Sequence, residues 1–168
     1  MRHSIPADCN LYAIDNSQPM VNACQNNIAQ DKATAPTHVV CADIRDVEVS
    51  NASIATMNFT LQFIPAADRH RVLRAICTGL VSGGALVLSE KINLPGDSEQ
   101  ALLMELHHDF KRAMGYSDLE VAQKRSAIED VLVPDSLETH KERLHTAGFR
   151  AVHTWFQCFN FASLIAIK

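Results

Sequence analysis

Apolar positions along the first ninety residues fall into short runs separated by stretches of helical spacing, which predicts strands followed by helices. Asn10–Asp15 reads as a short strand. Ser17 as a possible N-cap, with Pro19 in the first turn, opens an amphipathic helix that runs to about Ala29, and Asp31–Pro36 is a polar loop. Thr37–Ala42 is the next strand and ends at Asp43; Ser53–Asn58 is an apolar strand ending on a polar amide. Pro65–Gly79 is expected to be helical, with Val72, Leu73, Ile76 and Leu80 at core spacing. Ser82, Gly83 and Gly84 turn the chain into Ala85–Ser89, a nearly continuous apolar run of the kind buried on both faces. Successive β-then-α segments imply a parallel sheet with helices on both sides.

The second half changes rhythm. From Asp97 to about Asp130 the pattern is helical, broken at Gly115-Tyr116-Ser117, where a new helix is recapped near Asp118. A block inserted after a strand's carboxyl end sits above the ligand crevice, where lids belong. Ser136–Ala147 is an amphipathic helix stopped by Gly148, and Ala151–Cys158 with Phe161–Ile167 make two closely joined strands that should pair antiparallel.

Composition narrows the class. The chain has 168 residues, 47% of them hydrophobic, enough to bury a core as a single domain over 1–168 without disulfide or metal support. Its five cysteines are scattered without a CxxC pair, which fits a reduced, cytoplasmic protein. No apolar run approaches the ~18 residues of a membrane span, and no signal-like stretch follows the start. Net charge is −4 with acids and bases interspersed, so direct nucleic-acid binding is not expected.

The strand tips carry the chemistry. An acidic residue ending a strand and followed by a helix cap, as in Ala13-Ile14-Asp15-Asn16-Ser17, clamps a ribose in nucleotide-binding α/β domains. There it lies on the second strand, roughly 20 residues after a glycine-rich loop that follows the first. Residues 1–10 contain no glycine, and Pro6 interrupts them. The expectation is a domain lacking its first strand and glycine loop, with a gap, a direct pairing or a borrowed strand between the strands ending at Asp15 and Asn58.

A parallel sheet closed by a late hairpin is the ending of the class I methyltransferase fold, a Rossmann-like α/β sheet with helices on both faces and a C-terminal antiparallel hairpin. The phrases AIDNS, CADIRD, NFTLQFI, GLVSGGALVLSEK, HHDFKRAMGYS, QKRSAIEDV, DSLETHKERLHTAGF and WFQCFNF resemble, from about residue 10 to residue 168, the bacterial carboxy-S-adenosyl-L-methionine synthase family. The resemblance implies conversion of S-adenosyl-L-methionine and prephenate into carboxy-S-adenosyl-L-methionine and phenylpyruvate, for the 5-oxyacetic acid modification of tRNA wobble uridine. It also implies a homodimer, no metal, and, given the short amino-terminal side, impaired activity. The alternatives are a true S-adenosyl-L-methionine-dependent methyltransferase, or a non-catalytic fragment acting as a partner-binding module.

By resemblance the cofactor-binding residues are Asp15, Asn16, Asp43, Ile44, Asn58 and Arg125, and no residue is assigned as catalytic. Asp15 would take the ribose hydroxyls, with Asn16 beside it; its plainer role is to cap the helix that follows. Asp43 and Ile44 match the adenine pair, one for the exocyclic amine and one for the ring face, although Asp43 could instead cap a turn with Arg45 and Asp46. Asn58 matches a cofactor-contacting amide. Arg125 matches the residue that grips the added carboxylate, which a planar guanidinium does better than Lys. Adjacent His107 and His108 point about 100° apart on a helix and do not share a metal easily. Lys91, Lys111 and Arg112 are candidate partners for a dicarboxylate, and Tyr116 and Trp155 are expected to pack with a bonded polar tip.

Overall fold

A computed structural model describes residues 2–120 and 132–168, which fall into two compact units, Met1–Glu48 and Val49–Lys168. The first unit holds β1 (Leu11–Asp15), α1 (Gln18–Gln30) and β2 (Thr37–Cys41), a β-α-β turn of chain with the strands parallel and Asp15 opposite Cys41. Its amino-terminal residues form no strand; Arg2–Ser4 is a single 3-10 turn. The Arg2 guanidinium pins that turn down, donating to Asp31 Oδ2 at 2.7 Å, to Thr37 Oγ1 at 2.9 Å and to the Ala33 carbonyl at 2.9 Å.

The second unit contains β3 (Ala52–Asn58), α2 (Ala66–Gly79), β4 (Leu80–Asn93), α3 (Asp97–Ala113), β5 (Asp135–Ser136), α4 (Leu137–Ala147), β6 (Ala151–Cys158) and β7 (Phe161–Ile167). Its sheet runs β3-β4-β7-β6, with β5 pairing the far end of β4. The β3–β4 ladder is parallel, and both ladders of β7 are antiparallel, as the late hairpin predicts. Among the described residues β1 pairs with β2 in the first unit and β3 with β4 in the second.

Local signals set the element ends. Ser136 caps α4, its Oγ accepting the Thr139 N–H at 3.1 Å, and Gly148 ends that helix at φ 111°, a conformation glycine adopts without steric cost. After α3 the chain reverses at Gly115 (φ 92°), and Ser117 and Glu120 exchange hydrogen bonds as a capping box at the expected restart. Val72, Leu73, Ile76 and Leu80 are all buried.

One expectation needs correction. β4 is 14 residues long and continues past Ser89, and only one of its faces is fully buried. Leu86, Leu88, Glu90 and Ile92 are buried, as are Ala162, Leu164 and Ala166 of β7, while Ala85, Val87, Ser89 and Lys91 are half-buried. The reason is the distribution of helices: α2 and α4 pack on each other and on this sheet, whereas the opposite face meets α3 through ring contacts at Phe161.

Candidate functional site

In the first unit the carboxyl ends of the two parallel strands lie side by side, with the Ala42 N–H donating to the Asp15 carbonyl at 3.0 Å. The same end of the sheet therefore carries Asp15, Asn16, Asp43 and Ile44. Asp15 is exposed and its Oδ1 accepts the Ser17 N–H at 2.8 Å, which closes the turn into α1. Asp43 caps the 3-10 turn Ile44–Asp46, accepting from the Arg45 N–H at 2.9 Å and from its guanidinium at 2.7 Å. The turn-capping role weighed for Asp43 is thus seen, whereas Asp15 does not cap α1, whose N-cap Ser17 has no side-chain cap bond; each carboxylate stands at the strand terminus where an α/β sheet receives nucleotides.

In the second unit Asn58 ends β3, exposed, opposite Ser89 of β4. The segment that follows, 59–64, is fixed by groups that sequence reasoning did not single out. Glu90 is fully buried, and its carboxylate accepts the N–H groups of Thr60 at 3.1 Å, Leu61 at 2.8 Å and Gln62 at 3.1 Å. Burial pushes this carboxyl up to about 7, against the pull of those amides and the nearby Arg69 charge. Gln62 Oε1 accepts the Lys91 N–H, and the Phe59 N–H reaches the Ser89 carbonyl at 2.7 Å. Arg69, also buried, donates to the Ile64 and Gln62 carbonyls and pairs with Asp135 at 2.6 Å. Asp135 takes a second guanidinium, Arg143, at 2.7 Å; burial alone would raise its pKa, yet the two arginines hold it below the usual carboxylate range.

The sequence carried a signal for these groups. Glu90 has the parity of Leu86, Leu88 and Ile92, and Arg69 sits three and four residues before Val72 and Leu73, on their helix face.

The same end of this unit carries aromatic rings. His107 lies 5.0 Å from Phe161 edge-on and 5.6 Å from Phe159; Phe59 meets Phe161 edge-on at 5.8 Å, and Phe110 lies 5.7 Å from Phe159. Burial, followed by the charges of Lys111, His108 and Lys91, pushes His107 down to about 4, so its ring is neutral at pH 7. The Trp155 indole N–H bonds Ser163 Oγ at 2.8 Å, as expected of its polar tip, but the residue is 58% exposed rather than packed. Arg125 lies outside the described residues, as do residues 121–130 of the expected lid block 97–130. No helix among the described residues is long and apolar enough to cross a membrane.

Known proteins resemble this chain in fold and in sequence. A family model described as a methyltransferase domain covers residues 1–84. Among solved structures, an O-methyltransferase family 2 protein from Planctomyces limnophilus superposes with a TM-score of 0.65 at 13% identity, over 95% of this chain and 42% of that one. PigF, solved with SAH, gives 0.59 at 13% identity, over 94% of this chain and 43% of its own. The fold is that of the class I methyltransferases.

Sequence comparison is more specific. A carboxy-S-adenosyl-L-methionine synthase of Marinobacter nauticus is 52% identical across 100% of this chain and 68% of its own length. One from Yersinia enterocolitica is also 52% identical, across 64% of its length. The chain belongs to the carboxy-S-adenosyl-L-methionine synthase family, and it spans about two thirds of the length of the curated relatives it matches.

Proposed function

We propose that this chain is a cytoplasmic, single S-adenosyl-L-methionine-binding domain of a carboxy-S-adenosyl-L-methionine synthase, with 97–130 as its lid and a second copy as its partner. Prephenate is the carboxyl donor, phenylpyruvate the second product, and the carboxylated nucleoside serves wobble-uridine modification. The observation that carries this reading is identity above half over the whole chain to synthases of that name.

The roles follow from the strand ends. Asp15, with Asn16, holds the ribose hydroxyls; Asp43 and Ile44 take the adenine amine and ring face; Asn58 contacts the nucleoside from β3. Each carboxylate is now satisfied by a single-turn local contact that a ligand hydroxyl or amine can share, because a carboxylate accepts up to about four hydrogen bonds. Arg125 grips the new carboxylate through two parallel N–H donors.

The reaction needs a carbanion on the methyl attached to a positive sulfur. Aromatisation of prephenate expels carbon dioxide and hydroxide; the hydroxide takes the methyl proton, and the ylide carbon attacks the carbon dioxide. Water in the pocket would quench that carbon, so a closing segment is part of the chemistry.

The test is incubation with S-adenosyl-L-methionine and prephenate labelled with carbon-13 at its ring carboxylate, followed by mass spectrometry of the nucleoside. Label is expected in the carboxymethyl group, and Arg125→Lys should weaken binding of the carboxylated nucleoside while sparing S-adenosyl-L-methionine. Equal loss for both ligands refutes the role of Arg125. Methyl transfer without labelled carboxylate in the nucleoside refutes the synthase reading.

A further inference from the structure

We propose that Glu90 is a positioning residue for nucleoside recognition: its buried carboxylate fixes the turn that leaves β3 and so sets where the Asn58 amide stands at the strand end. For the identity of the ligand this rests on the nucleoside site of the proposed function, in which Asn58 is the contact from β3.

The turn is held bond by bond. The Phe59 N–H carries the β3–β4 ladder one residue past Asn58, reaching the Ser89 carbonyl at 2.7 Å. The next three N–H groups, of Thr60, Leu61 and Gln62, converge on the single Glu90 carboxylate at 3.1, 2.8 and 3.1 Å. The Thr60 hydroxyl turns back and donates to the Asn58 carbonyl at 3.2 Å. On the acceptor side, Arg69 donates to the Ile64 carbonyl at 2.8 Å and to the Gln62 carbonyl at 3.1 Å, where the Val133 N–H joins it at 3.2 Å. A swing of Asn58 together with its turn would break several of these bonds at once.

Two local penalties meet at this turn, and stability alone explains neither. Phe59 has φ of 55°, a left-handed conformation that is an outlier for a bulky side chain, and at 46% exposure its ring is not a core residue whose packing offsets the strain. Glu90 occupies a sheet position in register with the apolar Leu86, Leu88 and Ile92, and burial pushes its carboxyl up to about 7 despite the three amides. An aliphatic side chain there would avoid the desolvation, but it would leave the three amides unbonded and the path of the turn unspecified. A turn that must hold one geometry accounts for both penalties, and strain of this kind gathers at ligand sites. The polar side chain this geometry presents is Asn58, exposed at the carboxyl end of a parallel strand, where α/β sheets receive their ligands.

The experiment is a double-mutant cycle, read by calorimetric titration of the 168-residue chain with S-adenosyl-L-methionine well below the melting temperature of each variant. Asn58→Ala should weaken binding about fivefold, the scale of one neutral hydrogen bond. Glu90→Gln keeps the side-chain volume and should weaken binding by a similar factor in the natural background. In the Asn58→Ala background it should change affinity by less than about twofold, because a residue that acts through Asn58 then has nothing left to position. Thr60→Val removes only an exposed hydroxyl and should show the same pattern on a smaller scale, which carries the test if Glu90→Gln does not fold. Unchanged affinity, or an equal loss in both backgrounds, makes the role merely structural and overturns the inference. Nuclear spin relaxation of the ligand-free chain supplies a reading that needs no ligand. Glu90→Gln should lower the backbone order parameters of 58–62 from about 0.85 to below about 0.6 while α2 stays rigid. Unchanged order at 58–62 overturns the inference whether or not S-adenosyl-L-methionine binds. Loosening of 58–62 in Glu90→Gln, when the natural chain binds no S-adenosyl-L-methionine, upholds Glu90 as the group that positions Asn58 and removes the nucleoside reading instead.

Discussion

Replacing His140 by leucine should reshape the dependence of stability on pH. His140 is 1% exposed on α4, and among the described residues neither ring nitrogen has a hydrogen-bond partner. Burial pushes its pKa down to about 4 from 6.5, with Arg143 and Arg69 adding to the effect and Asp135 opposing it. As pH falls from 6.5 toward 4 the unfolded chain takes up a proton here that the folded chain refuses, so stability is lost at ~1.4 kcal/mol per pH unit, about 3 kcal/mol in all. Glu90 acts with the opposite sign. Its folded pKa of about 7 lies above the ordinary 4.5, so the folded chain holds a proton that the unfolded one has released, and stability rises as pH falls from 7 to 4.5, again by about 3 kcal/mol. Glu90 offsets His140 between pH 4.5 and 6.5, but His107, also pushed down to about 4, adds a loss of the same sign as His140, and the lowered pKa of Asp135 acts only below that window. Urea unfolding at half-unit pH steps should therefore show the natural chain losing stability on acidification through that window. In His140→Leu one of the two histidine losses is removed, and the profile should tilt toward stability on acidification by up to roughly 1.4 kcal/mol per unit relative to the natural chain. The leucine variant should also gain about 1–3 kcal/mol at pH 7.5 from removal of two unbonded buried nitrogens. A His140→Leu profile parallel to that of the natural chain would refute the assignment of a buried neutral imidazole.

Three further outcomes follow from the second unit. A methyl group on Gly79 would fall on the Val49 carbonyl, a backbone atom with no side-chain freedom to yield, so Gly79→Ala should cost about 1–3 kcal/mol in urea unfolding; an unchanged midpoint would place Gly79 elsewhere. Arg69→Ala leaves two carbonyls and a shared carboxylate short of a buried donor and should cost about 3–5 kcal/mol in the same assay, whereas a cost below about 1 kcal/mol would show the network to be solvated. Glu90→Gln offers one carbonyl oxygen where three amides now find two carboxylate oxygens. Hydrogen exchange at Thr60, Leu61 and Gln62 should quicken by about tenfold or more while α2 amides keep their protection, and uniform quickening would instead indicate global destabilisation.

What the sequence revealed and what it hid divide along the range of the interactions. Helix ends were legible because Ser136, Gly148 and the Ser117/Glu120 pair act within a few residues, and the late hairpin was legible from two apolar runs with a two-residue join. Asp15, Asp43 and Asn58 could be placed because polar residues closing apolar strands are visible as such. The extension of β4 was missed because its sixth regular position is a glutamate, and a charge in strand register reads as an end. That glutamate is buried only because amides 28 to 30 residues earlier fold back onto it. The single-faced burial of β4 was missed for a similar reason, since an apolar run states that a strand can be covered and not which helices arrive to cover it. His140 shares the spacing of Leu144 and Ala147 and could have been found on the buried face of its helix.

The buried charges explain why the end of β3 is a fixed platform rather than a loose connection. A chain leaving a strand must find partners for backbone groups that the ladder no longer serves. Here Glu90 takes three N–H groups of the segment 60–62, Arg69 takes the Gln62 and Ile64 carbonyls, and the side chain of Gln62 returns to the Lys91 N–H. Arg69 is then anchored through Asp135 to Arg143 on α4. An apolar contact could have held this segment with less cost of desolvation, but it would not have specified the path of the backbone. Hydrogen bonds do, because each requires its own direction. Asn58 and Phe59 therefore leave the sheet in one orientation, with the strained φ of Phe59 sustained by bonds on both sides of it, to Ser89 before and to Glu90 after. A site built this way needs little reordering when a ligand binds, so the interaction energy of the ligand goes into affinity and orientation rather than into closing the segment.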